Sequence, residues 1–457
     1  MTPQLIYNHS IEDSDIHNLC EDLVQYSDIA PKYYERFDVK RGLRNADGSG
    51  VIAGITRICM VHGYVMSEGE RQPIPGQLIY RGYDINDLIE NAEREDRYVF
   101  EEVAYLLLFG RLPNGADLER MTRSLGVRRE LPPGFLVDSI MQSPSNNIMN
   151  KLARSILSLY SYSDVTENTT IEDEMSIALD LIAKMPILMD GAYQAKRHKY
   201  DNASLIMHPL RPEENTAESI LSLIRNDRSY TKAEAQLLDT LLALHADHGG
   251  GNNSTFACRV ATSSGTDPFA AYTSAINSLK GPRHGGANIK VIQMLDDIKA
   301  HVAHWENEGE VADYLTKILR KEANDGSGLI YGMGHAVYTI SDPREVILKQ
   351  RARHLAYEKG FEEEYNMLCS IERLAPGIFA EEKGSTKPVC ANVDLFSGLI
   401  YNMLGISEDL YTPLFAIARV PGWCAHRVEE VVFANRIIRP AYKYLGVRQK
   451  YKPIEER

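Results

Sequence analysis

The segment GPRHGGANIKVIQML, residues 281–295, places His284 between a proline turn and two glycines. The residues after the glycines have apolar positions at helical spacing, so the histidine is predicted to lie at the start of an amphipathic helix. The unpaired N–H groups and positive dipole of a helix start disfavour an imidazolium ion. His284 is therefore expected to stay neutral and to donate a hydrogen bond to a carbonyl oxygen. The alternative is a turn histidine that only caps the helix.

A second histidine follows a pair of glycines in IYGMGHAVYTISDPRE, residues 330–345. Gly332 and Gly334 allow a close backbone approach beside His335. Arg344 falls in the first turn of the next predicted helix, where its charge and the helix start would both attract a carboxylate. The alternative is a loop histidine with a solvated arginine.

An aspartate begins the helical pattern in KPVCANVDLFSGLIYNMLGI, residues 387–406. Asp394 is expected at or just inside the start of a helix that ends near Gly405. Such an acid is most often a simple N-cap or a partner of the helix dipole. The same position would keep the carboxylate ionised, and an ionised carboxylate is the base that a carbon acid needs.

Two more histidines, His245 and His248, enclose an aspartate in LHADHGGGNNSTFACRV, residues 244–260. A metal site is a weaker interpretation, because the spacing lacks the i, i+4 placement of helical zinc pairs and no further ligand follows at a familiar interval. A hydrogen-bonding histidine at a helix end is favoured. Near the C-terminus, Arg419 and Arg439 could bind carboxylates or could simply be surface charges.

The composition excludes several classes of protein. The chain has 457 residues and a formal net charge of −13, and it has no long Lys/Arg run, which argues against a general nucleic-acid binder. The six cysteines have no zinc-ligand spacing and are expected to be reduced, mostly packed thiols. The sequence start lacks signal-peptide features, and no segment approaches a membrane span. We therefore predict a soluble cytoplasmic protein.

The elements that would position these residues are mostly helices. Residues 1 to about 45 are polar, with a helical pattern in 11–30, and short strands are predicted in 50–65 and 76–85. Almost everything after Asp84 has helical spacing. A compact run of helices at 290–398 has Gly-rich junctions at both ends, which indicates a small domain inserted into a larger one formed by 1–289 and 399–457.

Taken together, the segments HADHGGGNNSTFACRVATSSGTDPFAAYTSAINSLKGPRHGGAN, GMGHAVYTISDPR, ANVDLFSGLIYNMLGI and ARVPGWCAHRVEE resemble, in order and spacing, the citrate synthase family. The resemblance implies an all-α, two-domain fold with a few short strands near the N-terminus. It implies an acyltransferase of the tricarboxylic acid cycle that condenses acetyl-CoA with oxaloacetate and water. The coenzyme A thioester is a substrate, and neither a metal nor a cofactor is expected.

The resemblance also assigns roles to positions. The catalytic set is His284, His335 and Asp394, and the oxaloacetate-binding set is His248, Arg344, Arg419 and Arg439. A homodimer is expected, in which Arg439 reaches the site of the partner subunit.

Three positions depart from common family members: Gly249, Ala336 and Arg283. They leave the acyl preference and the coenzyme A contacts open. The nearest alternative is 2-methylcitrate synthase, which accepts propionyl-CoA, because one methylene gives only about 1–3 kcal/mol of discrimination. A metal-dependent hydrolase built on His245 and His248 and an inactive helical scaffold are more distant alternatives.

Overall fold

The computed structural model describes residues 20–21, 23, 27, 29–45, 48–67, 70–167, 169–384, 388–434 and 436–456. The chain divides into two compact units, one formed by 1–53 with 439–457 and the other by 54–438. The first unit contains helix α1 (Lys32–Arg36), the 3₁₀ turns Arg41–Leu43 and Ile454–Glu456, and a segment without regular secondary structure before the second turn. In this unit the ammonium group of Lys443 lies 5.2 Å from the centre of the Phe37 ring.

The second unit begins with a small antiparallel sheet. Strands β1 (Cys59–Ser67) and β2 (Glu70–Tyr80) pair along their length, with Cys59 opposite Tyr80 and a bulge between His62 and Tyr64. The short strand β3 (Tyr83–Asp84) pairs with the end of β2. The predicted strands are confirmed, although residues 51–58 have no regular structure and β1 starts later than the sequence pattern indicated.

Helices make up most of the remainder. In chain order they are α2 (Ile85–Arg94), α3 (Phe100–Phe109), α4 (Gly115–Arg128), α5 (Ile148–Leu159), α6 (Ile171–Tyr200), α7 (Thr216–Ile224), α8 (Lys232–His245), α9 (Asn253–Ser263), α10 (Pro268–Leu279), α11 (Ala287–His301), α12 (Glu308–Leu319), α13 (Pro343–Lys359), α14 (Glu362–Lys383), α15 (Asp394–Met403) and α16 (Tyr411–Phe433). Short π or 3₁₀ turns occupy Leu136–Met141, Tyr160–Tyr162 and Glu408–Leu410. The predicted all-α class is confirmed.

Helix α16 lies at the centre of the core. It packs against α3, α6, α8, α9 and α10, and every residue from 411 to 427 is buried. Burial on all sides explains why apolar residues occupy most positions of this stretch. The helix carries Arg419 and Trp423, both fully buried, so a charged side chain is held inside the hydrophobic core.

Local sequence signals set many of the helix ends. The Asp84 side chain accepts a hydrogen bond from the backbone N–H of Asn86 and starts α2, and Gly110 ends α3 in the left-handed conformation. Asp342 caps α13 by accepting from the Arg344 N–H. Glu345 lies three residues after this cap, where the sequence pattern predicts a capping-box acid. That prediction is wrong, because one oxygen of the buried carboxyl group has no hydrogen-bond partner and burial raises its pKa to about 8.

The helices of the predicted small domain pack on one another, α12 with α14, α11 with α15, and α13 with both α14 and α15. The boundaries 290–398 stay a prediction. The helical pattern at 11–30 lies largely outside the described residues. No helix in the described part of the chain is long and apolar enough to cross a membrane.

The six cysteines are free thiols. Cys258, Cys390 and Cys424 are buried, Cys59 and Cys369 are partly buried, and Cys20 is exposed. Burial raises the pKa of both Cys258 and Cys390 to about 12. The prediction of mostly packed thiols is confirmed.

Candidate active site

His284 lies in a turn that precedes α11 by three residues. Its backbone N–H bonds to the Gly281 carbonyl at 2.9 Å, and its Nε2 atom lies 3.2 Å from the Ser254 backbone N and 3.0 Å from the Ser254 Oγ. A backbone N–H only donates, so Nε2 is an acceptor and the proton of the neutral ring is on Nδ1. His284 can therefore donate a hydrogen bond through Nδ1.

The pKa of His284 is lowered to about 4, because the ring is largely buried and because Arg419 is nearby. The predicted neutral histidine is confirmed. The shift has a different cause from the expected one, since burial and a neighbouring charge produce it.

Ser254, near the start of α9, connects His284 to the core. The indole Nε1 of Trp423 donates to the Ser254 Oγ at 3.2 Å, and the same hydroxyl lies 2.9 Å from the Asn252 Oδ1. The position of the His284 ring is thus fixed from α9 and α16 together. No local sequence pattern identified Ser254, which lies 30 positions from His284.

The His335 loop is attached directly to the start of α15. The Gly334 N–H donates to the Cys390 carbonyl at 2.7 Å, and the Asn392 N–H donates to the Gly332 carbonyl at 2.8 Å. Gly332 has φ +81°, and a β-carbon there would lie 2.7 Å from the Leu395 Cδ1. The predicted close approach at this glycine is confirmed, and it brings the His335 segment beside the segment of Asp394.

His335 also has a defined hydrogen-bonding pattern. Its Nδ1 accepts from the backbone N–H groups of Val337 and Tyr338 at 3.1 and 3.0 Å. In the neutral ring the proton is therefore on Nε2. The ring stacks on Tyr338, with centroids 4.5 Å apart, and lies edge-on to His248 at 5.1 Å. The pattern leaves Nε2–H as the donor of His335.

Asp394 is the first residue of α15, as predicted, and its backbone N–H donates to the Asn392 Oδ1 at 3.0 Å. Burial raises the pKa of its carboxyl group to about 6, with Arg344 and Arg419 opposing the shift. The sequence pattern predicts that the helix start keeps this group ionised. At neutral pH most of it is ionised, but its basicity is higher than that of an ordinary aspartate.

Arg344 is buried and paired within its own helix start. Its Nε and Nη2 atoms donate to the two oxygens of Asp342 at 3.0 and 2.7 Å, and this ion pair raises the pKa of the guanidinium despite its burial. The ion pair fixes the direction of the side chain. Asp342 is thus both the cap of α13 and the ion-pair partner of Arg344.

Arg419 presents a different arrangement. Its Nε donates to the His245 carbonyl and its guanidinium lies 4.9 Å from the centre of the Phe415 ring, but its buried Nη1 and Nη2 atoms have no hydrogen-bond partner. The buried Nε2 of His248 also has none. Buried polar atoms without a partner are costly, and the guanidinium Nη atoms can only donate, so this group of atoms indicates a site for an anionic ligand.

Six of the seven predicted site residues influence one another. Burial lowers the pKa of His248, and Arg344, His335 and Arg419 lower it further. Arg419 acts in the same way on His284, and both arginines act on Asp394. These six residues therefore form one polar cluster. Arg439 is exposed and belongs to the terminal unit, so its role stays a prediction.

His245 is near His248 of this cluster, and Asp247 is near Arg419. The His245 Nδ1 bonds to the Leu241 carbonyl at 2.9 Å, and burial lowers its pKa to about 3, which fits the hydrogen-bonding role that the sequence favoured. Burial raises the pKa of Asp247, but the nearby His426 and Arg419 outweigh this effect and hold the pKa below its ordinary value. Within the described ranges, no three His, Cys, Asp or Glu side chains form a group that could hold a metal ion.

Comparison with known proteins decides the family. Residues 46–441 match the family model described as citrate synthase, C-terminal domain. The chain belongs to the citrate synthase family. The resemblance and the fold predicted from the sequence are both confirmed, and the chain is an enzyme of the acyl-transferring, condensing type.

Relatives of known name support the same assignment. A citrate synthase of Haloferax volcanii is 33% identical over 427 residues, which cover 92% of this chain and 99% of the relative. Citrate synthase 2 of Bacillus subtilis is 35% identical over 392 residues, covering 84% and 94%. A 2-methylcitrate synthase of Shewanella oneidensis is 33% identical over 382 residues, covering 83% and 92%.

Solved structures of citrate synthases have the same fold. The enzyme of Thermoplasma acidophilum, in a ternary complex with carboxymethyl coenzyme A and oxaloacetate, aligns with a TM-score of 0.74 at 27% identity, covering 92% of this chain and 99% of that one. The enzyme of Thermotoga maritima aligns with a TM-score of 0.71 at 28% identity, with the same coverage.

Two of the three departures from common family members are exposed in this structure. Arg283 and Ala336 lie at the surface, each next in sequence to a predicted catalytic histidine. Gly249 adopts φ +81° directly after His248.

Proposed function

We propose that this member of the citrate synthase family condenses acetyl-CoA with oxaloacetate and water to give citrate and coenzyme A. The observation that carries the proposal is the set of unpaired buried polar atoms, the two Nη atoms of Arg419 and the Nε2 of His248, in the polar cluster that contains the Asp394 carboxylate. Such a set suits a dicarboxylate next to a base. The solved structure of the Thermoplasma acidophilum relative is a ternary complex with oxaloacetate and carboxymethyl coenzyme A, which supports this choice of substrates.

The first step is proton abstraction. The methyl group of a thioester is a very weak carbon acid, so its proton is removed only if the developing enolate oxygen is stabilised. The Asp394 carboxylate takes the methyl proton, while His284 donates its Nδ1–H to the thioester oxygen. The low pKa of His284 keeps the ring a neutral donor, and the raised pKa of Asp394 makes it a stronger base.

The second step forms the carbon–carbon bond. The nucleophilic methylene carbon attacks the ketone carbon of oxaloacetate. The ketone oxygen accepts a hydrogen bond from the Nε2–H of His335 and takes its proton as it becomes an alcohol, and the later hydrolysis of the thioester by water returns a proton to the ring. Arg344, Arg419 and His248 hold the carboxylates, and Arg439 of a partner subunit completes the clamp. Hydrolysis of the resulting citryl thioester then releases coenzyme A.

The reaction uses no metal or prosthetic group in this proposal, because the coenzyme A thioester is a substrate. The location in the cytoplasm and the homodimer remain part of the proposal. Light scattering of the purified protein tests the dimer.

A 2-methylcitrate synthase activity is the alternative, since the Shewanella oneidensis relative carries that name at similar identity. Initial rates with acetyl-CoA and propionyl-CoA, each with oxaloacetate, distinguish the two. A higher kcat/KM for acetyl-CoA supports the proposal, a higher value for propionyl-CoA supports the alternative, and no product from either thioester contradicts both.

The pH dependence of kcat/KM follows from the ionisation of Asp394, the proposed base. Asp394 must be ionised to accept the proton, so kcat/KM for acetyl-CoA should fall as the pH drops through about 6 and level off above it. Circular dichroism at each pH controls for acid unfolding. A profile that is flat from pH 5 to 8 would contradict the role of Asp394.

The role of His284 predicts a defect in enolisation. The His284→Ala variant should exchange the methyl protons of acetyl-CoA about 10²–10³ times more slowly, in the presence of an unreactive oxaloacetate analogue, because one donor to the enolate oxygen is lost. NMR of the exchange in deuterated water measures this. The control is His354→Ala, a histidine whose side chain is 89% exposed. Unchanged exchange would remove His284 from this step.

Binding order follows from the arginines. Neutralising both carboxylates of oxaloacetate draws groups from α13 and α16 together, so we expect the predicted small domain to close and acetyl-CoA to bind after oxaloacetate. An oxaloacetate analogue should tighten acetyl-CoA binding about 5- to 150-fold, and Arg344→Gln should weaken both ligands. Calorimetric titration of acetyl-CoA with and without the analogue tests this. Equal affinities would exclude coupled closure.

A further inference from the structure

Three residues on one face of α16 meet the segment 245–248. Arg419 donates from its Nε to the His245 carbonyl, and the His426 Nε2 lies 3.0 Å from the Asp247 Oδ2. Between them, a β-carbon at Gly422 would lie 2.3 Å from the Ala246 carbonyl oxygen and 2.8 Å from the Asp247 Oδ1. The spacing i, i+3, i+7 places all three on the same side of the helix. The backbone of α16 therefore packs directly against the backbone of this segment at Gly422.

Arg259, the second hydrogen-bond partner of His426, determines which ring nitrogen of His426 carries the proton. The Arg259 Nη1 lies 3.0 Å from the His426 Nδ1, and a guanidinium can only donate. Nδ1 is therefore an acceptor, and Nε2 carries the proton that is donated to Asp247. Arg259 is itself held by Glu429 at 3.0 Å and by Glu430 at 2.8 Å. His426 and Asp247 are both fully buried, so this chain of hydrogen bonds is shielded from water.

Asp247 is held through its backbone as well. Its N–H donates to the Tyr80 Oη at 3.2 Å, and the Tyr80 hydroxyl lies 3.0 Å from its carbonyl oxygen. Tyr80 therefore holds the backbone of Asp247, and His426 holds its side chain. The next residue is His248, with its unpaired Nε2, and two residues earlier is the His245 carbonyl that holds Arg419.

We propose that His426 is a positioning residue for oxaloacetate: through its hydrogen bond to Asp247 it fixes segment 245–248, so that the unpaired Nε2 of His248 and the unpaired Nη donors of Arg419 face the same dicarboxylate. His426 does not touch the substrate in this assignment. The inference rests on the proposed function, because it takes oxaloacetate as the ligand of those donors.

The test compares His426→Leu with His426→Gln. Leucine removes the donor to Asp247, whereas the glutamine amide nitrogen can replace the Nε2–H. Calorimetry should give an oxaloacetate Kd about 10- to 100-fold higher for the leucine variant, since a hydrogen bond to a charged group is lost. The glutamine variant should stay within about threefold of wild type. At saturating oxaloacetate, kcat and the KM for acetyl-CoA should change less than about threefold in both.

Cys424→Ala is the matched control, because Cys424 is buried on the same helix beside Tyr272 and Cys258 instead of segment 245–248. It should lower the melting temperature and leave the oxaloacetate Kd unchanged. If His426→Leu does not fold, His426→Asn replaces it, since asparagine is too short to reach Asp247.

The proposal is wrong if the leucine or asparagine variant binds oxaloacetate as wild type does, if glutamine fails to rescue binding, or if Cys424→Ala raises the Kd equally. Failure of the proposed function is a separate result, because then the wild-type protein itself would neither bind oxaloacetate nor form citrate.

Discussion

The Asp394→Asn variant should lose about 10²–10⁴-fold in kcat while its affinity for oxaloacetate stays near that of wild type. Asparagine has nearly the shape of aspartate but cannot accept the methyl proton. The proposed carboxylate clamp of Arg344, Arg419 and His248 is untouched by this change. Steady-state rates with acetyl-CoA, together with calorimetric titration of oxaloacetate, measure the two effects separately.

Asp313→Asn is the matched control, since Asp313 is exposed on α12 and should tolerate the same change. Near-normal turnover in Asp394→Asn would show that another group removes the proton. A loss of oxaloacetate affinity as large as the loss of turnover would show that Asp394 supports binding and not chemistry.

The Arg419→Gln variant should have the largest effect on binding. Both Nη atoms are buried and unpaired in the protein, so the guanidinium is already desolvated and oriented before the ligand arrives. Its loss should cost at least about 2 kcal/mol of binding energy, which is roughly a 30-fold increase in the oxaloacetate Kd. Arg419→Lys should fall between wild type and glutamine, because an ammonium group keeps the charge but not the paired donors.

Arg320→Gln controls for the loss of a positive charge. Arg320 is paired with Glu382 at 2.8 Å, and its side chain is 55% exposed. Calorimetry with oxaloacetate should give the wild-type Kd for this variant. An unchanged Kd in Arg419→Gln would mean that the unpaired Nη atoms serve another ligand.

Local patterns in the sequence predicted much of the fold, because the signals for helix ends are themselves local. Asp84 and Gly110 mark the ends of helices at the positions where a capping side chain and a left-handed residue are needed. The same kind of signal gave the wrong role to Glu345. There, tertiary packing buries the carboxyl group and overrides the capping geometry that its spacing allows.

The candidate site was predicted less completely, because the residues that support it are distant in sequence. His284 and Asp394 could be recognised by their turns and by the family resemblance. Ser254 could not, and neither could the pair of Asp247 and His426, which lie 179 positions apart. The pKa values of His284 and Asp394 depend mainly on burial, which a local pattern does not specify.

The burial of the cysteines has a practical consequence for assays. Coenzyme A leaves the enzyme as a thiol, and a thiolate-specific chromogenic reagent can follow its release continuously. Such a reagent attacks accessible thiolates, and Cys258, Cys390 and Cys424 are both buried and held in the protonated form. Cys20 is the exposed cysteine and is the main source of background colour from the protein. With Cys20 replaced by serine, the background from the protein is lower. The coenzyme A released in a single turnover can then be measured at high protein concentration.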